Sequence, residues 1–334
     1  MEIHTLAFAL IVLVITGYAV FDGFDLGVGA LTLLARSKKE RHLYVASISP
    51  VWDGNQVWLL SAVIVLFGAF SIAFSTVFSG FYSIFMLLLA GLISRAVAIE
   101  FRLMHASPGW IRFWNGAFSF GGIFSALLLG VAFGNIMRGL VIEANFVYHG
   151  GIIELFNPYA VLIGLVACTI FILHSAIYLR IKTEDEEPAE RLRSIALNAY
   201  GVFLLLYGAA VIFTVQVSPF LFRKAGSLSF LCLALLLAVV LAAIPIYIRV
   251  HWKRAAFSAS AATIALIITG TAYAAWPVLV PARLETGLSL TIYNAAATPE
   301  TPRFILIVAL AGLLIMMSYT FAVYLIFKGP PISY

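Results

Sequence analysis

The apolar positions of this chain fall into long blocks separated by short polar connections. Nine blocks reach the roughly 20 mostly apolar residues that a helix needs to cross a bilayer. They run over 5–35, 50–70, 75–101, 113–137, 158–180, 195–218, 227–249, 256–280 and 303–327. The first continues for about thirty residues with no short cleavage pattern, so it is expected to stay as a helix. Small and polar residues from Ser71 to Ser75 separate the second and third blocks and predict a tight hairpin there. The charged run "KTEDEEPAER" reads as a solvated connector. The segments "RGLVIEANFVYHGGIIELFNP" and "PARLETGLSLTIYNAAATPETP" are mixed in character and are expected to form short interfacial helices or a lid.

Composition turns this pattern into a class. Of 334 residues, 63% are hydrophobic and 10% charged, with a mean hydropathy of +1.06. Soluble domains hold roughly 45–50% apolar and about 25% charged residues. The expected fold is an all-α polytopic membrane protein of about nine transmembrane helices. It forms one transmembrane domain over 1–334, with no separate soluble domain and no internal repeat. The net charge of +5 has a topological reading, and no nucleic-acid partner is expected. Basic residues concentrate in alternate connections, at Arg36, Lys38, Lys39, Arg41, Arg102, Arg112, Arg180, Lys182, Arg191, Arg193, Arg249, Lys253, Arg254 and Lys328. The other side carries Arg138, Arg223, Lys224, Arg283 and Arg303. The positive-inside rule then sets the N-terminus outside and the C-terminus in the cytoplasm. Cys168 and Cys232 lie in apolar runs without CxxC context and read as small buried hydrophobes.

Candidate chemistry begins in the first span, at "GYAVFDGFDLGVG" (residues 17–29). On a helix, Tyr18, Asp22, Asp25 and Gly29 share one face, while Gly23 and Gly27 lie nearly opposite as a small-xxx-small pair suited to close helix contact. Asp25 precedes Arg36 by eleven residues, or about 16 Å of helix. A carboxylate at that depth costs at least about 2.5–3.5 kcal/mol, so it must face protein or water, be paired, or carry a proton. Both a neutralised structural acid and a proton or ion path satisfy that demand. A second polar cluster opens span two in "SISPVWDGNQVWL", with Trp52, Asp53, Asn55 and Gln56. Pro50 suits the first helical position, Ser49 the cap and Asp53 the first turn. Arg95, inside span three, is expected as the counter-charge of an acid in span one or two. His174 is the one histidine inside a span and reads as a hydrogen-bonded interfacial residue. His4 and His149 lie at the outer side, and His42, His105 and His251 at the inner side. A haem held by facing histidines needs two at similar depth, and the chain offers no such pair. It also lacks a zinc spacing, a GxxxxGK loop and a GxSxG elbow.

These segments resemble subunit II of cytochrome bd quinol oxidases, including the cyanide-insensitive type. The likeness rests on "GYAVFDGFDLGVG", "ISPVWDGNQVWL", "FSGFY", "SRAVAIEFR", "GVAFGNIMRG", "LFNPYAVLIGL", "HSAIYLRIKT" and "SLTIYNAA", in order along nearly the whole chain. The resemblance implies nine helices as two four-helix bundles plus a peripheral one. It implies a respiratory terminal oxidase of a bacterial or archaeal cytoplasmic membrane, in which electrons pass from a quinol to oxygen. Two b-type haems, one d-type haem and the quinol site would belong to subunit I, the partner of this chain. A small single-span subunit and a structural quinone are compatible with the family. By motif, Asp22, Asp25, Trp52, Asp53 and Arg95 would serve proton delivery or the subunit interface, and Gln56 joins them as a neighbour on the path. Two other readings stay open on the residues alone: a proton-coupled transporter or channel, and a purely structural assembly partner.

Overall fold

The computed structural model describes residues 2–141, 151–283, 289–296 and 301–329. Its elements are the helices α1 (Glu2–Leu31), α2 (Lys38–Ile48), α3 (Trp52–Ala69), α4 (Ser71–Gly80), α5 (Tyr82–Phe101), α6 (Pro108–Arg138), α7 (Ile152–Leu155), α8 (Pro158–Lys182) and α9 (Glu186–Val217). A 3₁₀ turn (Pro219–Phe222), α10 (Leu228–Arg249), α11 (Lys253–Ala275), the short strands β1 (Val278–Val280) and β2 (Leu290–Thr291), and α12 (Thr301–Ile326) complete the chain. Among the described residues, eight helices are long and apolar enough to span a membrane. A ninth span results if α2 and α3, bent by 48°, count as one.

Packing divides the helices into two groups of four. In the first, α1 lies against α3 and α6, and α6 against α5; in the second, α8 meets α9 and α11, and α10 meets α11. The groups join where α8 packs on both α1 and α6, and α12 lies outside against α3 and α1. Helix α1 therefore runs through the centre of the molecule. Large apolar side chains remain on the outer faces, such as Leu60, Ile64 and Phe67 on α3 and Leu314, Ile315 and Phe321 on α12. Apolar outer faces are what a helix in lipid presents.

Close approach to α1 depends on glycine. A Cβ at Gly23 would lie 2.6 Å from the Phe171 ring, and one at Gly27 would collide with Ser175 Oγ and the Phe171 carbonyl, so this pair seats α1 on α8. On another face, a Cβ at Gly29 would sit 3.1 Å from Gly122 Cα of α6.

Several expectations change, most of them at the connections. The basic segment after span one is helical: Ser37 caps α2 by accepting from Glu40 N at 3.0 Å, while Glu40 accepts from Arg36 N at 2.8 Å. The Glu40 carboxylate reaches one residue before the cap instead of Ser37 N itself, and the two bonds together stabilise the helix start. Ser49 consequently ends α2, with its hydroxyl on Val45 O at 2.9 Å, and α3 begins at Trp52 without a side-chain cap. Residues 71–75 form part of α4 instead of a hairpin. Thr76 and Ser79 return their hydroxyls to the carbonyls of Ile72 and Ser75, at 3.0 and 2.6 Å, so polarity there does not break the helix. The breaks fall at Phe70 (φ −136°, ψ 61°), where the expected second span ends, and at Phe81 (φ −100°, ψ 17°), which divides the expected third span. Of the two mixed segments, the first contains the four-residue helix α7, and the second contributes β2, which pairs antiparallel with β1 at the end of the expected eighth span, instead of a helix. Leu140 bridges Ala282, with Leu140 N on Pro281 O at 2.9 Å, so the two mixed segments meet. Cys232 is exposed on α10 and Cys168 only partly buried, so neither is the fully buried hydrophobe expected.

Candidate functional site

Four elements meet at a charged cluster in the middle of the first bundle. From α1, Asp22 and Asp25 turn inward, each fully buried. From α5, Arg95 is equally buried, and its Nη2 donates to Asp22 Oδ1 at 2.7 Å. Helix α3 supplies Asn55, whose Nδ2 donates to Asp25 Oδ2 at 2.8 Å and to Phe21 O at 3.1 Å. Tyr324 of α12 donates to Asn55 Oδ1 at 3.1 Å and completes the outer side. Phe21 packs between Trp58 and Tyr324, with ring centroids 5.2 and 5.7 Å away. Phe24 stacks on Tyr178 at 4.1 Å. These aromatic contacts enclose the polar atoms in apolar walls.

The charges in the cluster do not balance. Two carboxylates face one guanidinium, and Arg95 spends its carboxylate contact on Asp22. Asp25 has an amide donor and no cation of its own. Asp22 Oδ2, Asp25 Oδ1, Arg95 Nε, Arg95 Nη1 and the Tyr18 hydroxyl are buried without a hydrogen-bond partner among the described residues. Buried polar atoms left unpaired by protein are rare, and they mark sites for internal water or for a functional charge.

The second polar cluster divides around α3. Trp52 and Asn55 are buried and Gln56 partly so, whereas Asp53 is exposed. Successive helix positions turn by 100°, so Asp53 and Asn55 fall on opposite faces. The structure therefore brings Asp22, Asp25 and Arg95 together and leaves Asp53 outside the cluster. Asn55, Tyr18 and Tyr324 belong to it as well. Asn55 carried a signal in the polar start of span two. Tyr324 carried none, since 269 positions separate it from its partner.

Histidine 174 is fully buried, not interfacial. Its Nε2 donates to Val20 O at 3.2 Å, its Nδ1 meets Ser260 Oγ at 2.7 Å, and its ring stacks on Phe257 at 4.5 Å. Both ring nitrogens are thus engaged within the chain. At the end of α5, Arg102 donates to His42 Nδ1 at 2.7 Å. Burial, then the charge of Arg41, pushes the Arg102 guanidinium down to about 10, so it stays charged at neutral pH. His149 lies outside the described residues. Among the described residues, no group of three or more His, Cys, Asp or Glu converges on a point.

Fold and site together define a polytopic membrane protein that seals two acids and one cation within its helical bundle. The sequence matches the family described as cytochrome bd terminal oxidase subunit II over residues 3–327, and the chain belongs to that family. It is similar to the cytochrome bd-I ubiquinol oxidase subunit 2 of Escherichia coli, at 32% identity over 93% of this chain and 90% of that protein. It is also similar to the cytochrome bd ubiquinol oxidase subunit 2 of Bacillus subtilis, at 27% identity over 98% of this chain and 96% of that protein. A chain in the structure of bd oxidase from Geobacillus thermodenitrificans shares the fold, with a TM-score of 0.73 over 98% of this chain and 99% of that one, at 18% identity. The resemblance carried by the DGFD and WDGN motifs is borne out.

Proposed function

We propose that this chain is the haem-free companion of a haem-bearing subunit in a quinol-oxidising terminal oxidase, and that Asp25 relays cytoplasmic protons toward oxygen reduction. The quinol part of the reading comes from the relatives, which are ubiquinol oxidase subunits by name. Protons are needed because reduction of oxygen to water consumes them. The haems, two b-type and one d-type by family likeness, are assigned to the partner. A haem between two histidines of this chain does not fit the residues at hand. His174, the buried histidine among the described residues, has both nitrogens committed.

The observation that carries the proton reading is the charge imbalance at Asp25. Asp22 is paired at 2.7 Å by Arg95, while Asp25 accepts from the neutral Asn55 amide. An uncompensated carboxylate in a low-dielectric core is costly, and a proton on Asp25 removes that cost. Its free Oδ1 is the atom that takes and releases the proton. Fixed in the ion pair, Asp22 and Arg95 hold the local field, and Asn55 orients the carboxyl in both protonation states through its amide. Tyr324 fixes that amide in turn. Trp52 and Gln56 flank the approach, and Asp53 serves as an outer collector or as a partner contact.

The test uses the intact complex, purified by a tag on this chain. The reading expects haem b and haem d bands in the reduced-minus-oxidised spectrum and a co-purifying larger subunit. Asp25→Asn is expected to keep those bands and to lose quinol-driven oxygen consumption. A colourless, monodisperse protein without a partner contradicts the oxidase reading and favours a transporter. Full turnover in Asp25→Asn leaves the acids a structural role only.

A further inference from the structure

Outside the charged cluster, α5 and α6 enclose an open groove of about 610 Å³. Its α6 side includes Gly109, Arg112, Phe113, Gly116 and Phe120, which recur at helical spacing on one face, with Ala117 beside them. The floor is bare. No atom lies within 4 Å of a Cβ built at Gly109 or Gly116, so the glycines leave open space where any other residue would fill it. Phe113 and Phe120 stand up as walls, 65% and 58% exposed, and Phe120 stacks on Phe124. Across the floor, Ser94 of α5 donates to Ala117 O at 3.2 Å. Trp110 Nε1 donates to Phe101 O at 2.7 Å and ties α6 to the end of α5 beside the mouth. Arg112 is exposed there and forms no ion pair among the described residues.

We propose that this groove binds one anionic glycerophospholipid, with its phosphate on Arg112 and one acyl chain laid over Gly116 between Phe113 and Phe120. Three features select that occupant. From Gly109 to Phe120 the groove follows α6 for about 16 Å, half of the roughly 30 Å hydrocarbon core. That is the depth of one leaflet, so it suits a lipid chain and is too short to seat a spanning helix. The cation sits at the polar end only, which matches a molecule with a charged head and an apolar tail and gives an uncharged isoprenoid no partner for Arg112. Finally, the mouth opens on the side of the basic connections, where the positive-inside rule puts the anionic cytoplasmic leaflet. The volume falls within the usual range for a single bound small molecule, about 300–1,000 Å³.

The experiment compares intact oxidase complexes carrying wild-type chain, Arg112→Gln or Gly116→Leu. Each is equilibrated in nanodiscs of phosphatidylcholine with a minority of phosphatidylglycerol, released, and weighed by native mass spectrometry. An unchanged haem spectrum verifies assembly of each variant. Wild type is expected to retain a phosphatidylglycerol. Arg112→Gln is expected to lower its preference for phosphatidylglycerol over phosphatidylcholine about fivefold, the factor one basic residue gives near an anionic surface. Gly116→Leu fills the floor and is expected to retain one phospholipid fewer of either kind. Equal phosphatidylglycerol retention in all three complexes overturns the proposal. So does a Gly116→Leu complex that keeps its lipid and sheds a protein subunit, since the face is then a protein contact.

Discussion

Asp22 and Asp25 lie less than one helical turn apart, yet one meets a guanidinium and the other a neutral amide. Asp22 is locked to Arg95, with both side chains fully buried. Removing one partner of such a pair leaves an uncompensated charge and costs about 3–5 kcal/mol. Arg95→Gln is therefore expected to reduce the yield of assembled complex sharply, and adding Asp22→Asn to restore much of it. Haem content per milligram of membrane protein reads both outcomes. Equal loss in the single and double variants argues against the pair as the cause. Asp25→Asn is expected to assemble normally, because an asparagine there keeps an oxygen to accept from Asn55. At this scale the sequence was partly legible. Two acids and one arginine inside spans stand out against an apolar background, and their depth alone demands partners. The choice between Asp53 and Asn55 was not legible. It depends on the rotation of α3 about its axis relative to α1, which no local pattern encodes.

Among the elements, backbone proximity is the controlling variable. Helix α1 sits against α8 because Gly23 and Gly27 carry no side chain toward Phe171 and Ser175. Gly27→Ala is expected to lower the melting temperature of the complex, since overpacking of this kind costs about 1–3 kcal/mol. Gly270→Ala is the matched control, because a Cβ there meets nothing within 4 Å. Similar melting of the two variants contradicts the packing account. Near the basic connection, Glu40 is 6% exposed; it ties α2 to Arg191 of α9 and also accepts from Arg36 N and from the Tyr44 hydroxyl of its own helix. Glu40→Ala strands those donors and is expected to cost about 1–3 kcal/mol, measured as a fall in thermal stability. Hydrophobic block length marked the long helices well. It missed α2, where the Ser37 and Glu40 spacing was the available signal, and α4, where Thr76 and Ser79 return their hydroxyls to carbonyls one turn back and the polar stretch stays helical. The break at Phe70 had no local signal, because phenylalanine is an ordinary helix residue, and the one at Phe81 had only the weak signal of Gly80 before it.

For the whole molecule, the two groups of four helices meet along α1 and α8, with α12 outside. That arrangement puts the charged cluster of α1, α3 and α5 in one half and the engaged His174 at the junction with the other. The distribution of basic residues sets the proposed orientation. A fluorescent protein fused after the last helix is expected to mature in the cytoplasm, and alkaline phosphatase fused there to stay inactive; the reverse pattern inverts the topology. The proposed function, taken with this orientation, has protons reaching Asp25 from the cytoplasmic side and electrons reaching haems in a partner subunit, so it expects turnover to separate charge. The most direct test is proton uptake by the intact complex in proteoliposomes, read by a pH dye on the cytoplasmic face during quinol-driven oxygen reduction. Asp25→Asn, with its haem spectrum unchanged, is expected to slow that uptake by about a hundredfold or more, the usual effect of losing a positioned proton carrier. Uptake and membrane potential at the wild-type rate in that variant would contradict the assignment of Asp25 as the proton relay.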